Sequence, residues 1–120
     1  MTILVLDFET STQWDADGRT DSTPYNGNNY LVSAGYCNID VSNTIHPVRY
    51  DFYRHGDLAV GDVSSPQNLQ EALDQATLLV AHNAKFELNW LRAAGFKYDG
   101  PVWCTFIGEY VLARGRKDIE

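Results

Sequence analysis

The stretch Thr2-Ile3-Leu4-Val5-Leu6-Asp7-Phe8-Glu9-Thr10 decides how the chain is read. Its branched apolar residues favour an extended strand that packs into a core. Successive strand residues point to opposite faces, so Asp7 and Glu9, at i and i+2, project to the same side and their carboxylates converge. Converging carboxylates repel each other unless a cation lies between them. Oxygen ligands on a rigid strand end suit Mg²⁺ or Mn²⁺, which bind through a few carboxylates, waters and substrate phosphate oxygens. A strand that merely ends in polar residues on its way to solvent would carry the same pair.

A second run works outward from the first. Leu78-Leu79-Val80-Ala81-His82-Asn83-Ala84-Lys85-Phe86-Glu87-Leu88-Asn89-Trp90-Leu91 reads as a buried strand, 77–82, turning directly into an amphipathic helix over 84–94 that Gly95 ends. Asn83 is a suitable N-cap, and Phe86, Trp90 and Leu91 fall on one helical face. Glu87 lies in the first helical turn, where the positive end of the helix favours a carboxylate. A third acid thus stands at the carboxyl end of another strand, where open α/β sheets place their sites.

Together, Asp-x-Glu on the first strand and His82-Asn83-x-x-Phe86-Glu87-x-x-x-Leu91 resemble the first two motifs of the DEDD family of 3′-5′ exonucleases. The resemblance is to the proofreading domain of family A DNA polymerases, including those of phages, and it spans nearly the whole chain. Asn26 to Gly35 at the second strand, and Trp103-Cys104-Thr105-Phe106 leading into a helix, support it. Two positions depart from the family pattern: Glu87 stands where Asp is usual, and Cys104 replaces the Asp of a usual Asp-Thr pair that binds no metal. The third motif, a Tyr or His followed by a fourth Asp, would lie beyond Asp118, and the sequence ends at Glu120. Residues 1–120 therefore read as a single exonuclease-like domain, incomplete at its C-terminus.

This resemblance implies a ribonuclease H-like α/β fold whose mixed sheet is a three-strand meander followed by alternating helices and strands, with flanking helices. It implies a metal-dependent 3′-5′ exonuclease acting on the 3′ end of single-stranded DNA. Asp7, Glu9 and Glu87 would be the catalytic acids and metal ligands of a two-metal Mg²⁺ or Mn²⁺ site, and Thr10, His82 and Asn83 the substrate contacts. The implied partners are a downstream exonuclease segment and a polymerase domain, in the cytoplasm or, for a phage protein, the host cytoplasm. A catalytically silent ribonuclease H-like module that binds nucleic acid or a partner protein is the competing expectation.

Composition sets bounds. The 120 residues are 44% hydrophobic, enough for one core and too few for a second domain. No apolar run approaches the roughly 20 residues of a membrane span, and no basic, cleavable leader precedes the first strand. Cys37 and Cys104 match no metal-ligand spacing and read as reduced thiols. The net charge of −7 lacks the basic footprint of a phosphate-binding protein, yet it is uneven: residues 1–74 carry 11 acids and 3 bases, residues 75–120 carry 5 acids and 6 bases. Bound cations and an attached polymerase would offset the deficit.

Elsewhere the sequence predicts strands over about 2–9, 30–38 and 45–54, with a turn-rich, irregular 11–28 between the first two. A helix opened by Ser65 and Pro66 carries Leu69, Ala72, Leu73 and Ala76 at helical spacing. A short strand near 101–104 and a helix over 106–114 follow. Phe8, Phe86 and Trp90 are expected in the core. His82 reads equally as a strand-end histidine bonded to backbone, and Asn83 equally as a plain helix cap. His46 and His55 have no partner acid at ligand spacing and are left out of the site.

Overall fold

The computed structural model describes residues 1–40, 42–55, 58–59 and 68–112. Strand β1 (Thr2–Thr10) lies at the middle of a mixed five-strand sheet. It pairs antiparallel with β4 (Leu31–Asp40), which pairs antiparallel with β5 (Arg49–Phe52), so the expected meander forms. On its other side β1 runs parallel to β8 (Leu78–Ala81), and β8 runs parallel to β9 (Val102–Cys104). The order is β5-β4-β1-β8-β9.

Among the described residues three helices accompany the sheet: α1 (Leu69–Gln75), α2 (Ala84–Ala93) and α3 (Thr105–Leu112). Alternation along β1 turns Leu4, Leu6 and Phe8 into the core, where they meet Ala34 and Tyr36 of β4, Leu79 of β8, Leu69 and Leu73 of α1, and Trp90 and Leu91 of α2. Phe8, Phe86 and Trp90 belong to this cluster or pack against it, as expected. Gly95 closes α2 at φ +86°, a conformation that costs glycine little, and the Phe96 N–H returns to the Leu91 carbonyl at 2.9 Å. Among the described residues no helix is long and apolar enough to cross a membrane.

Several boundaries differ from the sequence expectation. The third strand is Arg49–Phe52 and not 45–54, because Pro47 lacks a ladder donor and Ile45 is left in an isolated bridge to Ile39. Residues 11–28 are not wholly irregular: β2 (Gln13–Trp14) and β3 (Thr20–Asp21) form a small ribbon, and the Trp90 indole N–H donates to the Ser22 carbonyl at 2.9 Å, tying this segment to α2. A second ribbon joins β6 (Arg54–His55) to β7 (Leu58–Ala59). Helix α1 begins at Leu69; Ser65 and Pro66, read as its opening, lie outside the described residues, as do 113 and 114 at the end of the last expected helix.

The start of α1 is held from the sheet. Asp51, only 1% exposed, accepts the Leu69 N–H and the Tyr36 hydroxyl, each at 2.9 Å. These donors satisfy a carboxylate that burial would otherwise penalise heavily. Burial, followed by the hydrogen bond to Asp51, pushes the Tyr36 phenol well above its usual pKa.

Candidate functional site

The acids sit where the parallel pairing of β1 stops. Its ladder with β8 ends at Val5↔Val80, and β8 then turns through His82 and Asn83 into α2. Beyond Val5 that edge of β1 is open to other donors and acceptors. Glu87 enters the gap: its Oε2 accepts the Phe8 N–H at 3.2 Å. The carboxylate of Glu87 is thereby fixed at the residue between Asp7 and Glu9.

The three acids differ in surroundings. Asp7 and Glu9 are exposed, whereas Glu87 is 4% exposed and lies on the buried stripe of α2 with Ala84, Trp90 and Leu91. Burial pushes the Glu87 carboxyl up from 4.5 to about 8; the Phe8 N–H opposes this, and the charges of Asp7 and Glu9 add to it. Among the described residues no group of three His, Cys, Asp or Glu side chains is arranged to hold a metal ion. The geometry explains this: Asp7 and Glu9 project from a sheet face, while the Glu87 oxygen meets β1 at its open backbone edge. The structure thus brings the acids together around Phe8 as an exposed pair backed by a buried third.

Thr10 follows a shift in register: Glu9 pairs with Ser33 but Thr10 pairs with Leu31, so β4 carries an extra residue, Val32, and the ladder bends just beyond the acids. His82 is exposed, with Nδ1 2.9 Å from the Thr105 hydroxyl and its ring edge-on to Phe106. It is therefore held by a side chain, and its backbone carbonyl separately accepts the Phe106 N–H at 2.9 Å.

Asn83 occupies the N-cap position of α2, but its side chain makes no capping hydrogen bond, contrary to the propensity-based expectation. Its φ of −126° and ψ of 80° leave the carbonyl to accept the Phe86 and Glu87 N–H groups, at 3.0 and 3.3 Å. The Ala84 N–H goes to the Cys104 sulfur at 3.4 Å, a contact that lowers the thiol's pKa, and the same sulfur donates to the His82 carbonyl at 3.4 Å. Cys104 is thus the joint between β8, β9 and α2. Both cysteines are free.

His46 does have an acid partner. Its Nε2 lies 3.2 Å from Asp40, whose carboxylate also accepts from Ser42 and Thr44 in the turn after β4. Hydrogen bonds, chiefly from the Ser42 hydroxyl, hold Asp40 down at about 2. The cluster closes a turn at the far end of β4 from Ser33 and Gly35.

Sequence reasoning missed Asp51 and the exposed rings of Tyr50 and Phe52. The signal was present in the alternation Arg49-Tyr50-Asp51-Phe52, which sends Asp51 inward and both rings outward. No family model and no curated protein matches the chain.

Proposed function

We propose that the chain is the metal-dependent 3′-5′ exonuclease module of a DNA polymerase, hydrolysing the terminal phosphodiester of single-stranded DNA. The observation that carries this reading is the Glu87 carboxylate at the Phe8 N–H, between two exposed acids. Removing a carboxylate from water beside two others is unfavourable without a compensating positive charge, and such perturbed acids concentrate at functional sites. The mixed sheet, with antiparallel β4 and β5 on one side of β1 and parallel β8 and β9 on the other, is compatible with a ribonuclease H-like fold.

The donor set suits a hard cation in kind. Asp7 and Glu9 present exposed oxygens on one face and would hold Mg²⁺ or Mn²⁺, while Glu87, with one oxygen given to Phe8, would act on the ion through its other oxygen or its waters. Such ions supply water activation and neutralisation of charge on the phosphate and leaving group. In the reaction, a water oxygen bonds to the terminal phosphorus, the bond from phosphorus to the 3′ oxygen breaks, and that oxygen leaves with a proton. The residues of this chain orient the phosphate: Asp7 and Glu9 fix the cleft, and Thr10 beyond the bend, with His82 and Asn83 at the start of α2, flank the terminal nucleotide. The proton acceptor and a fourth acid belong, by the resemblance, to the downstream segment.

Helix α3 supports that last point. Its Phe106, Ile107, Tyr110, Val111 and Leu112, with Trp103 of β9 before it, are all more than half exposed, an apolar surface suited to burial under further polypeptide. The absence of a three-ligand arrangement among the described residues favours the second reading, a silent nucleic-acid- or protein-binding module. One assay separates the two. A 5′-labelled single-stranded oligonucleotide is incubated with Mn²⁺ and either the 120-residue chain or a version extended through the downstream reading frame. Stepwise shortening from the 3′ end by the extended protein, lost in Asp7→Ala, is expected; binding without cleavage by the extended protein would establish the silent module.

A further inference from the structure

Sheet register places a second feature beside the acids. Across three strands, one rung reads Asp7↔Gly35↔Tyr50 and the next Glu9↔Ser33↔Phe52. Directly paired residues share a face, so both acids and both rings stand on the same side of the sheet, two strand spacings or about 10 Å apart. Between them the middle strand carries only a glycine and a serine. Tyr50 leans over that gap: a Cβ at Gly35 would lie 3.1 Å from Tyr50 Cε1. At the Asp7–Tyr50 rung this leaves a trough of about 200 Å³ that runs toward Val5, Cys37 and Val48, with Glu9, Ser33 and Phe52 beyond its end. The two rings stack on one another at 6.3 Å and 25°, with Tyr50 58% and Phe52 45% exposed.

We infer that Tyr50 and Phe52 form a base-stacking platform for the nucleotides that precede the 3′ terminus, across the Gly35 and Ser33 strip from Asp7 and Glu9. The inference rests on the nuclease reading of the carboxylates and adds to it a site for the rest of the strand. Charge argues for stacking as the means of holding it. The chain carries −7, and the arginines nearest this edge, Arg49 and Arg54, lie over the Tyr36 and Tyr30 rings. Phosphate contacts alone would therefore hold a strand weakly. Stacking needs no positive charge and accepts every base, which suits an enzyme that removes nucleotides in succession. The shared sheet face, with Asp7 itself lining the trough, favours a nucleic-acid strand over a polypeptide on this patch.

The test is fluorescence anisotropy of the 120-residue chain with 5′-labelled oligo(dT), in Ca²⁺ to suppress cleavage, and with the same strand made abasic upstream of its 3′ nucleotide. Removing the bases should weaken binding to the parent by roughly fivefold to a hundredfold. Tyr50→Ala and Phe52→Ala should bind oligo(dT) more weakly and distinguish the two strands less, whereas Tyr50→Phe should keep the parent's preference. Both rings are surface groups, and circular dichroism of each variant checks the fold. Equal binding of the two strands by the parent, or an unchanged preference in both alanine variants, would overturn the platform and leave the nuclease reading standing. Alanine variants that change only the association state of the chain would overturn it too, by making the patch a protein contact. Absence of binding to either strand, together with absence of Mn²⁺-dependent cleavage by the extended protein, would remove the nuclease reading and the platform with it.

Discussion

Two buried carboxylates in this fold meet opposite surroundings. Asp51, 1% exposed, faces two donors at 2.9 Å, the Tyr36 hydroxyl and the first N–H of α1. Glu87, 4% exposed, has the Phe8 N–H at 3.2 Å and two further acids pressing on it. Both lie near the start of a helix, so neither burial nor position tells them apart. The company does: a buried charge supplied with donors fastens a sheet to a helix, while a buried charge beside like charges stays unfavourable until a proton or a cation arrives.

If that contrast holds, substitutions at the two places should separate activity from stability. The largest effect is expected at the acids that Glu87 backs: Asp7→Ala should abolish Mn²⁺-dependent cleavage by the extended protein while its thermal unfolding stays intact. Residual cleavage above a small fraction of the parent's would show that the catalytic acids lie elsewhere. Asp51→Ala should instead lower stability by about 2–4 kcal/mol in urea unfolding, because two hydrogen bonds to a buried charge are lost and both donors are stranded. A change below about 0.5 kcal/mol would make Asp51 an ordinary surface-like acid.

Glu87→Gln sharpens the comparison through pH. The folded-state value of about 8 lies above the ordinary 4.5, so the unfolded chain ionises first as pH rises. Below pH 4.5 the group is protonated in both states and its ionisation penalises neither; between 4.5 and 8 stability falls, and above 8 the loss is complete. Glu87→Gln should therefore gain at least about 1 kcal/mol over the parent above pH 8, with the gain shrinking in acid. A gain independent of pH would break the argument. The smallest effect concerns reach: in the extended protein Glu87→Asp should keep or raise activity while Glu87→Ala loses most of it. Equal rates for Glu87→Ala and the parent would reduce Glu87 to a favourable first-turn acid.

What the sequence disclosed followed local periodicity. The two-residue alternation of β1 announced the Asp7 and Glu9 pair, and the apolar run from Leu78 into Asn83 announced a strand turning into a helix. The motif brought out Glu87, yet its burial comes from the stripe Ala84, Glu87, Leu91, in which an acid takes a core position. Readings failed where distant groups intervened. Asn83 has cap propensity, but its carbonyl and not its side chain takes the Phe86 N–H, while the Cys104 sulfur reaches in from β9 to the Ala84 N–H. The ribbon of β2 and β3 is tied down by an indole on α2, 68 residues beyond Ser22. The Tyr50 and Phe52 rings acquire meaning only through the register that sets them opposite Asp7 and Glu9.

The most direct test of the account is a carbon-detected NMR titration of the Glu87 side-chain carboxyl, without and with saturating Mg²⁺. A lone buried acid pressed by Asp7 and Glu9 should titrate near 8 without the ion. Bound between them, the cation should favour the ionised form and draw that midpoint down toward the ordinary carboxylate range. A midpoint near 4.5 that Mg²⁺ does not move would contradict both the buried geometry and the cation site built on it.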